Sequence, residues 1–494
     1  MENTPAQWVM LSKWYDARPV QVLRKAWLYG WRAAYLLCAV LVLFSLTSNW
    51  SYDDPFITYR YAENIAQGHG PVYNEGAKVL STTTPLLALV LSLAKFVWPN
   101  LLQVANLIGA ASLAFSGLLL YEMAALYRTP AAGWFGLFFY PTFPLLFVTI
   151  GSETPLYISL ILASIWTYSA RRYSLAGFFS ALAVLARPDG VLAAAVLAIH
   201  FLFAIRRPIP WKAIGIFVAI NLLWFGFAWL YFGSPLPVTL TAKQHQGAMT
   251  ISDRFIDGVL PTFEWYTHYW GYWLAAAAGL LGVWAILRRR SGWGMLLVWT
   301  AVYTGAYTLL NVSRYVWYYA PLVPGLVICV GVGLQFLLEL ARTHRRTWLR
   351  VASAAGLAVV LISLAFFQAR YLWRFHFVQN ERTSIYREVG EWLRKNSPAE
   401  ASVATLEVGT IGYYSGRKMI DFAGLIQPDV ARRLTKDTTY EDAAIYAVHQ
   451  YDPDYIVLMV GAFSTLREQY IMKNCQWITS FGSDKYAVDL FACR

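Results

Sequence analysis

The residues with the most chemical potential are two adjacent carboxylates, Asp53 and Asp54. They lie in the stretch 49–82, NWSYDDPFITYRYAENIAQGHGPVYNEGAKVLST. Carboxylates side by side raise one another's proton affinity, and a carboxylate so tuned can take a proton from a hydroxyl. The same pair also reads as a helix start. Asp54 is then the N-cap, Pro55 falls in the first turn, and Phe56, Ile57, Tyr59, Ile65 and Ala66 form the apolar face of a helix on a membrane, ended at Gly68 and Gly70. Further polar groups stand in four short segments: Glu153 in GSETPLY, Arg187 and Asp189 in LARPDGV, Lys243 and His245 in TLTAKQHQG, and Arg314 with Tyr315 in NVSRYVWYY. Each has a bland reading: Glu153 caps a helix, Arg187 snorkels, Arg314 faces lipid headgroups. Their chemical reading is complementary: carboxylates for proton transfer or a hard cation, and Arg and Lys for an anion, Arg with two parallel hydrogen bonds.

What positions these groups is a membrane. The 494 residues are 58% hydrophobic, 17% aromatic and only 14% charged, against about 25% charge in a soluble domain. That excludes disorder and coiled coil and disfavours a soluble globular protein. Four cysteines do not make a disulfide scaffold. Helix-length apolar runs occupy about 31–49, 83–98, 101–123, 131–150, 155–170, 173–186, 189–205, 211–232, 271–287, 293–310, 317–340 and 351–372. A span needs about 20 residues, so the shorter runs are the weakest spans. The first run lacks a small-residue cleavage site and is not a signal peptide. Residues 1–30 form a basic, aromatic cytoplasmic arm, either an interfacial helix over Trp8–Trp27 or an ordinary tail.

Sidedness follows from basic residues. Arg171-Arg172, Arg206-Arg207, Arg288-Arg289-Arg290 and RTHRRTWLR at 342–350 punctuate the helices, and such clusters stay in the cytoplasm. The net charge of +12 then belongs to cytoplasmic loops and anionic lipid rather than to nucleic acid. Counting from these anchors puts Asp54, Glu153, Asp189, the 233–270 loop, Arg314 and everything after 374 outside. Twelve runs give the wrong parity for a chain that starts inside and ends outside. Either 83–98 is re-entrant and lines a cavity, or 83–123 hides three crossings. Ionisable groups at membrane depth are usually functional, and those named above share one face.

In order along the chain, YDDPFITYRYAENIAQGHGPVYNEG, GSETPLY, ARPDGV, YFGSPLPVTLTAK, SRYVWYYAPLVP and GTIGYYSGRKMIDFAGL resemble the GT-C superfamily of polytopic glycosyltransferases. The likeness runs from about residue 50 to 430 and is nearest to the branch with terminal arabinofuranosyltransferases and relatives of protein mannosyltransferases. The resemblance implies a polytopic α-helical membrane protein of about 11–13 transmembrane helices, spanning 31–374, with a small extracytoplasmic α/β domain at 375–494. It implies sugar transfer from a polyprenyl-phosphate donor to a glycan, lipid or protein hydroxyl at the outer face of the plasma membrane. Asp54 is then the base, with Asp53 orienting it and Glu153 holding a donor hydroxyl or sharing the base chemistry. Arg187, Lys243, Arg314 and His245 meet the donor phosphate, while Arg60, Asp189, Tyr315 and Tyr413 contact substrate. Pro55 and the run Ser81-Thr82-Thr83-Thr84-Pro85 depart from the family's usual residues and leave the acceptor open. A divalent cation on Asp53, Asp54 and Glu153 is an alternative to arginines, although the spacing matches no standard metal motif and no metal ligand set is assigned. No phosphate-binding glycine loop is present.

After Arg374 the pattern changes to an amphipathic helix at 381–396 and strand-like runs SVATL, KMIDF, DYIVLMV, QWITSF and YAVDLF, separated by helical stretches near 428–435, 440–450 and 463–473. Gly409, Gly412, Gly416 and Gly424 read as turns, and Tyr413-Tyr414 as packing or as a sugar platform. Cys475 and Cys493 either pair in an oxidising exterior or stay free. Cys38 and Cys329 fall in membrane helices. The competing functions are a transporter or flippase for a lipid-linked glycan, which should show an internal repeat, and a non-catalytic envelope-assembly scaffold.

Overall fold

The computed structural model describes residues 18–493 apart from 206–207, 251–252, 344, 378–379 and 484–485. Most of the basic arm and the Arg206-Arg207 anchor therefore lie outside the described residues. From Arg18 the first helix runs unbroken over Arg18–Thr47, and its apolar span begins at Tyr29.

The protein is a polytopic helical membrane protein. Among the described residues six helical stretches are long and apolar enough to cross a bilayer, including Tyr29–Thr47, Leu101–Leu126, Trp211–Phe232 and Trp270–Arg289. Shorter apolar helices of 10–17 residues pack between them. Proline at the first turn sets several starts: Pro55–Ala66, Pro85–Ala94, Pro130–Phe139 and Thr154–Ser169. Small residues bring helices together, as lipid demands. A side chain at Gly282 would meet the Cys329 carbonyl, and one at Gly333 the Ala278 carbonyl, so Trp270–Arg289 and Val323–Thr343 touch backbone to backbone.

Two apolar runs shrink. The run 83–98 is the ten-residue helix Pro85–Ala94, about 15 Å long against a hydrocarbon core of about 30 Å. The run 131–150 breaks at residues 140–143 into Pro130–Phe139 and Pro144–Phe147. The helix Pro55–Ala66 does not lie open on a membrane: eight of its residues are buried, among them Phe56, Tyr59, Arg60 and Tyr61, because the C-terminal domain covers one side of it and the helices Pro85–Ala94 and Leu101–Leu126 another. The 233–270 loop is itself partly helical, over Val238–Ala248 and Val259–Thr267.

The C-terminal domain is a five-stranded sheet of order β2-β1-β3-β5-β4, with β1 Ser402–Thr405, β2 Lys418–Asp421, β3 Tyr455–Met459, β4 Cys475–Phe481 and β5 Val488–Cys493. Strand β1 runs parallel to β2 and β3, and β5 antiparallel to β3 and β4. Alternation along the strands splits the core. Ala404, Ile420, Ile456 and Leu458 pack on the alanine face of Tyr440–Tyr451. Val403, Met419 and Val457 pack on Ile385, Val389 and Leu393 of Glu381–Asn396. Cys475 and Cys493 form a disulfide between β4 and β5. One expectation is corrected. Gly409 and Gly412 mark no turn but lie in the helix Val408–Ser415, while Gly416 and Gly424 do take positive φ.

Candidate active site

The turn Ser51–Asp54 sends its two carboxylates in opposite directions. Asp53 accepts backbone N–H groups from Gly409 (3.0 Å) and Thr410 (2.8 Å), the first turn of Val408–Ser415, where a helix presents unpaired donors and positive dipole. Burial raises the Asp53 carboxyl above its ordinary range, and the N–H groups of Thr410 and Gly409 oppose that shift. Asp54 occupies the N-cap position of Pro55–Ala66 but makes no side-chain cap. Its carboxylate instead meets Lys243 Nζ at 3.2 Å and lines a cavity of about 320 Å³. Capping therefore does not account for Asp54.

The cavity gathers residues far apart in the chain: Asp54, Glu153, Arg187, Asp189 and Lys243. Lys243 comes from the helix Val238–Ala248, fixed by Val238 N donating to the Leu80 carbonyl at 2.9 Å. Its ammonium sits 3.6 Å from the Tyr315 ring centre and 5.3 Å from that of Trp317, a cation–π arrangement. Burial disfavours the Lys243 charge, but Asp54 together with Tyr315 and Tyr318 outweighs it and the ammonium is held well above its ordinary range. Arg187 lies between two short helices, Tyr173–Ala186 and Gly190–His200. It donates to both Asp189 oxygens, at 3.2 and 3.0 Å, and to Tyr307 Oη at 2.5 Å. Its guanidinium is flanked by the Tyr157 and Tyr318 rings. Tyr307 Oη also donates to Asp189. The remaining nitrogen, Arg187 Nη1, is buried without a partner. An unsatisfied buried charged donor is costly, and here it belongs to a cavity wall. Glu153 is pushed above its ordinary range by burial, with Arg187 opposing.

Opposite the charges, Ser81, Thr82, Thr83 and Thr84 form a ledge of hydroxyls. Thr84 exchanges hydrogen bonds with Thr58 (3.0 Å) and Thr82 (3.2 Å). Along one side the wall turns apolar, with Val191, Leu236, Leu240 and Leu310, all of them exposed at the protein surface.

Six expected residues fall outside this cavity. Asp53 is engaged by the C-terminal helix, as above. Arg314 is turned away and pairs with Asp253 at 3.0 Å. His245 Nδ1 lies 2.8 Å from the Ala431 carbonyl, on the side of its helix that meets the C-terminal domain. Tyr315 stands behind Lys243 and donates to Gln246. Arg60 is buried and donates to the carbonyls of Tyr73, Gly412 and Arg417. Tyr413 packs on Phe56 and Tyr59, beside a second cavity. Sequence reading missed Tyr303 and Tyr307. Their spacing of four on Gly294–Leu310 puts both hydroxyls on one helix face, and that was the available signal.

The donor set does not suit a divalent cation. Asp54 already meets Lys243 and Asp189 meets Arg187, and among the described residues no group of three or more His, Cys, Asp or Glu side chains comes together.

By sequence, no curated protein matches the chain. A domain of unknown function, DUF8728, matches residues 373–491, the C-terminal domain. Solved structures are more informative. ArnT from Cupriavidus metallidurans, bound to undecaprenyl phosphate, aligns over 94% of this chain and 98% of its own, with a TM-score of 0.62 at 14% identity. The chain has the GT-C fold. The archaeal oligosaccharyltransferase AglB from Archaeoglobus fulgidus, in complex with an inhibitory peptide and a dolichol-phosphate, aligns over 92% of this chain and 74% of its own, with a TM-score of 0.60 at 14% identity. Both span the membrane domain and the C-terminal domain together, so the GT-C fold here includes the seam between them.

Proposed function

We propose that this protein transfers a sugar from a polyprenyl-phosphate donor to an acceptor hydroxyl. The reading rests on one observation: a single cavity brings an acid, Asp54, against two buried cations, Lys243 and Arg187, beside an apolar wall open to the surface. The apolar wall suits a prenyl chain, and the cations suit a phosphate. Similar folds hold undecaprenyl phosphate in ArnT and a dolichol-phosphate in AglB.

In the reaction, Asp54 takes the proton of the acceptor hydroxyl as its oxygen bonds to the anomeric carbon. The bond from that carbon to the phosphate oxygen breaks, and the electron pair leaves with polyprenyl phosphate. The phosphate gains one negative charge in this step. Arg187, whose Nη1 lacks a partner, and Lys243, which can pass from Asp54 to the phosphate, offset it. Charge developing on the sugar ring is oxocarbenium-like, and the buried Glu153 faces it. The hydroxyl ledge 81–84 orients the acceptor.

The C-terminal domain and the cavity lie on the extracytoplasmic side of the plasma membrane in this reading. The arginine clusters at helix ends and the Cys475–Cys493 disulfide support that orientation. The test is a membrane-fraction assay with radiolabelled pentosyl and hexosyl polyprenyl phosphates. Release of polyprenyl phosphate with labelling of an acceptor is expected. Movement of an intact lipid-linked glycan, with no bond broken, would instead make the protein a transporter.

A further inference from the structure

A second cavity, of about 500 Å³, lies on the other side of the helix Pro55–Ala66. It is lined by Arg60, Lys95, Arg394 and Arg417 against only two carboxylates, Glu63 and Glu75. Lys95 pairs with Glu63, and Glu75 with His69. The two remaining buried guanidiniums, Arg60 and Arg417, make no ion-pair contact among the described residues, although Glu75 and Glu63 act on Arg60 from a distance. Arg60 donates to the carbonyls of Tyr73, Gly412 and Arg417. Arg417 donates to Ser397 Oγ and to the carbonyls of Leu393, Arg394 and Ser397. The carbonyls of Leu393, Arg394, Ser397 and Gly412 belong to the C-terminal ends of Glu381–Asn396 and Val408–Ser415, and their partial negative charge offsets part of the two cations. A buried charge is otherwise met by an opposite one. The cavity therefore keeps an excess of positive charge, topped by Arg394, which is exposed.

A separate observation gives the direction of entry. Lys95, on the rim, is followed directly by Phe96, Val97 and Trp98, and Phe96 and Val97 are 75% and 90% exposed. The helix before them, Pro85–Ala94, also turns Leu89, Val90 and Leu93 outward. Exposed apolar residues in a row, next to a basic polar pocket, describe a membrane-facing lip below a headgroup site.

We propose that this second cavity binds the net-anionic, phosphate-bearing headgroup of a membrane lipid, with the acyl chains lying along residues 96–98. It is distinct from the cavity of Asp54 and takes no part in bond breaking. Lys95 and Arg394 meet the phosphate, and Glu63, Asn64 and Tyr413 meet headgroup hydroxyls. The inference does not depend on sugar transfer, since it concerns binding alone.

The experiment uses the full-length protein, purified in mild detergent from nanodiscs of phosphatidylcholine doped with phosphatidylglycerol, and reads retained lipid by native mass spectrometry. The wild type should retain phosphatidylglycerol over phosphatidylcholine by about tenfold. Arg394→Gln should lower that ratio severalfold, and Lys95→Glu with Arg394→Glu should abolish it. Glu75→Gln, at an exposed carboxylate, removes an opposing charge and should raise it; this variant tests the idea even if the double charge reversal misfolds. Equal retention of both lipids, or a ratio indifferent to all these substitutions, overturns the proposal. So does binding of free glucose 6-phosphate with no lipid selectivity, which would make the cavity a site for a soluble phosphate.

Discussion

The first loop meets two neighbours, and it treats them differently. On one flank it is welded to the C-terminal domain, and nearly every polar group there ends on backbone. Asp53 takes two N–H groups. Asn74 both donates to and accepts from Met419. Tyr73 donates to the Val408 carbonyl, and Asn380 reaches the Ser51 carbonyl. On the other flank, around Asp54, side chains meet side chains, and some polar atoms are left over: Arg187 Nη1, Tyr157 Oη and Ser81 Oγ are buried without partners. Buried polar groups are normally satisfied. The flank whose side chains end on backbone is built to hold, although Thr410 Oγ1 there is also left without a partner; the flank where charged and hydroxyl groups are left over is built to receive. The two adjacent aspartates divide along that line, one positioning and one facing the ligand.

The largest effect should therefore separate Asp53 from Asp54. Asp54→Asn should lower sugar transfer by about two to four decades, with some loss of stability because the buried Lys243 loses its ion-pair partner. Transfer at the normal rate by a folded Asp54→Asn protein would remove Asp54 from the role of base. Asp53→Ala should do the reverse in emphasis, with destabilisation of about 1–3 kcal/mol for the two orphaned N–H groups and a smaller loss of rate.

A sharper probe of the seam is Gly409→Ala. A methyl group there would run into the backbone carbonyl of Asp53, so loop and helix must part. We expect a loss of about 1–3 kcal/mol. The displacement is passed one residue on, to Asp54, and should cost about tenfold in turnover with the donor KM little changed, because misplaced reacting groups lose rate before they lose binding. An unaltered turnover in the folded variant would show that the C-terminal domain does not position the carboxylate.

Much of this arrangement was legible before any coordinates. The basic clusters lead to the expectation that Asp54, Glu153, Arg187, Asp189 and Lys243 share one face of the membrane, and the structure gathers all five about one cavity. Sidedness resolves a face of the membrane, however, and not the face of a helix. Lys243 and His245 are two residues apart on Val238–Ala248, which puts them on different sides. One reaches Asp54 and the other Ala431. Arg314 lies outside the cavity for a related reason: its partner, Asp253, comes from 61 residues away in a loop without periodicity. The glycines of GTIG were read as turns because glycine disfavours helices, whereas here the helix needs their bareness for close contact. The sheet was easier, since its strands are apolar runs bounded by turn residues.

The seam also carries a pH dependence. Glu407, beside Asp53 and paired with Arg382, is pushed up to about 8 by burial and by the Asp53 charge. In the unfolded chain a glutamate titrates near 4.3. Between these values the folded protein holds a proton that the unfolded chain has lost, so stability falls as pH rises. Glu407's contribution is full below about pH 4.3 and is gone by about pH 8. Glu407→Gln keeps the neutral form at every pH. Its melting temperature should match the wild type near pH 5 and exceed it by a few degrees at pH 8. A difference that is constant across pH 5–8 would mean that Glu407 is charged throughout and that Arg382 governs it.

The smallest expected effect is the one that the sequence pattern would have ranked high. Arg314 sits in a segment with four aromatic residues, Tyr315, Trp317, Tyr318 and Tyr319, yet its guanidinium is 32% exposed and pairs with Asp253, itself 65% exposed. An exposed pair of this kind contributes about 0–1 kcal/mol, and salt screens it. Arg314→Ala should change turnover and donor KM by no more than about twofold. The comparison that gives this number meaning is Lys243→Ala, at a cation 7% exposed whose removal strips Asp54 of its partner and the donor phosphate of one of two counter-charges. If Arg314→Ala raised the donor KM as much as Lys243→Ala does, the segment at 314 would have to swing into the cavity when donor binds. The distinction between receiving and holding flanks would then depend on ligand rather than on the fold.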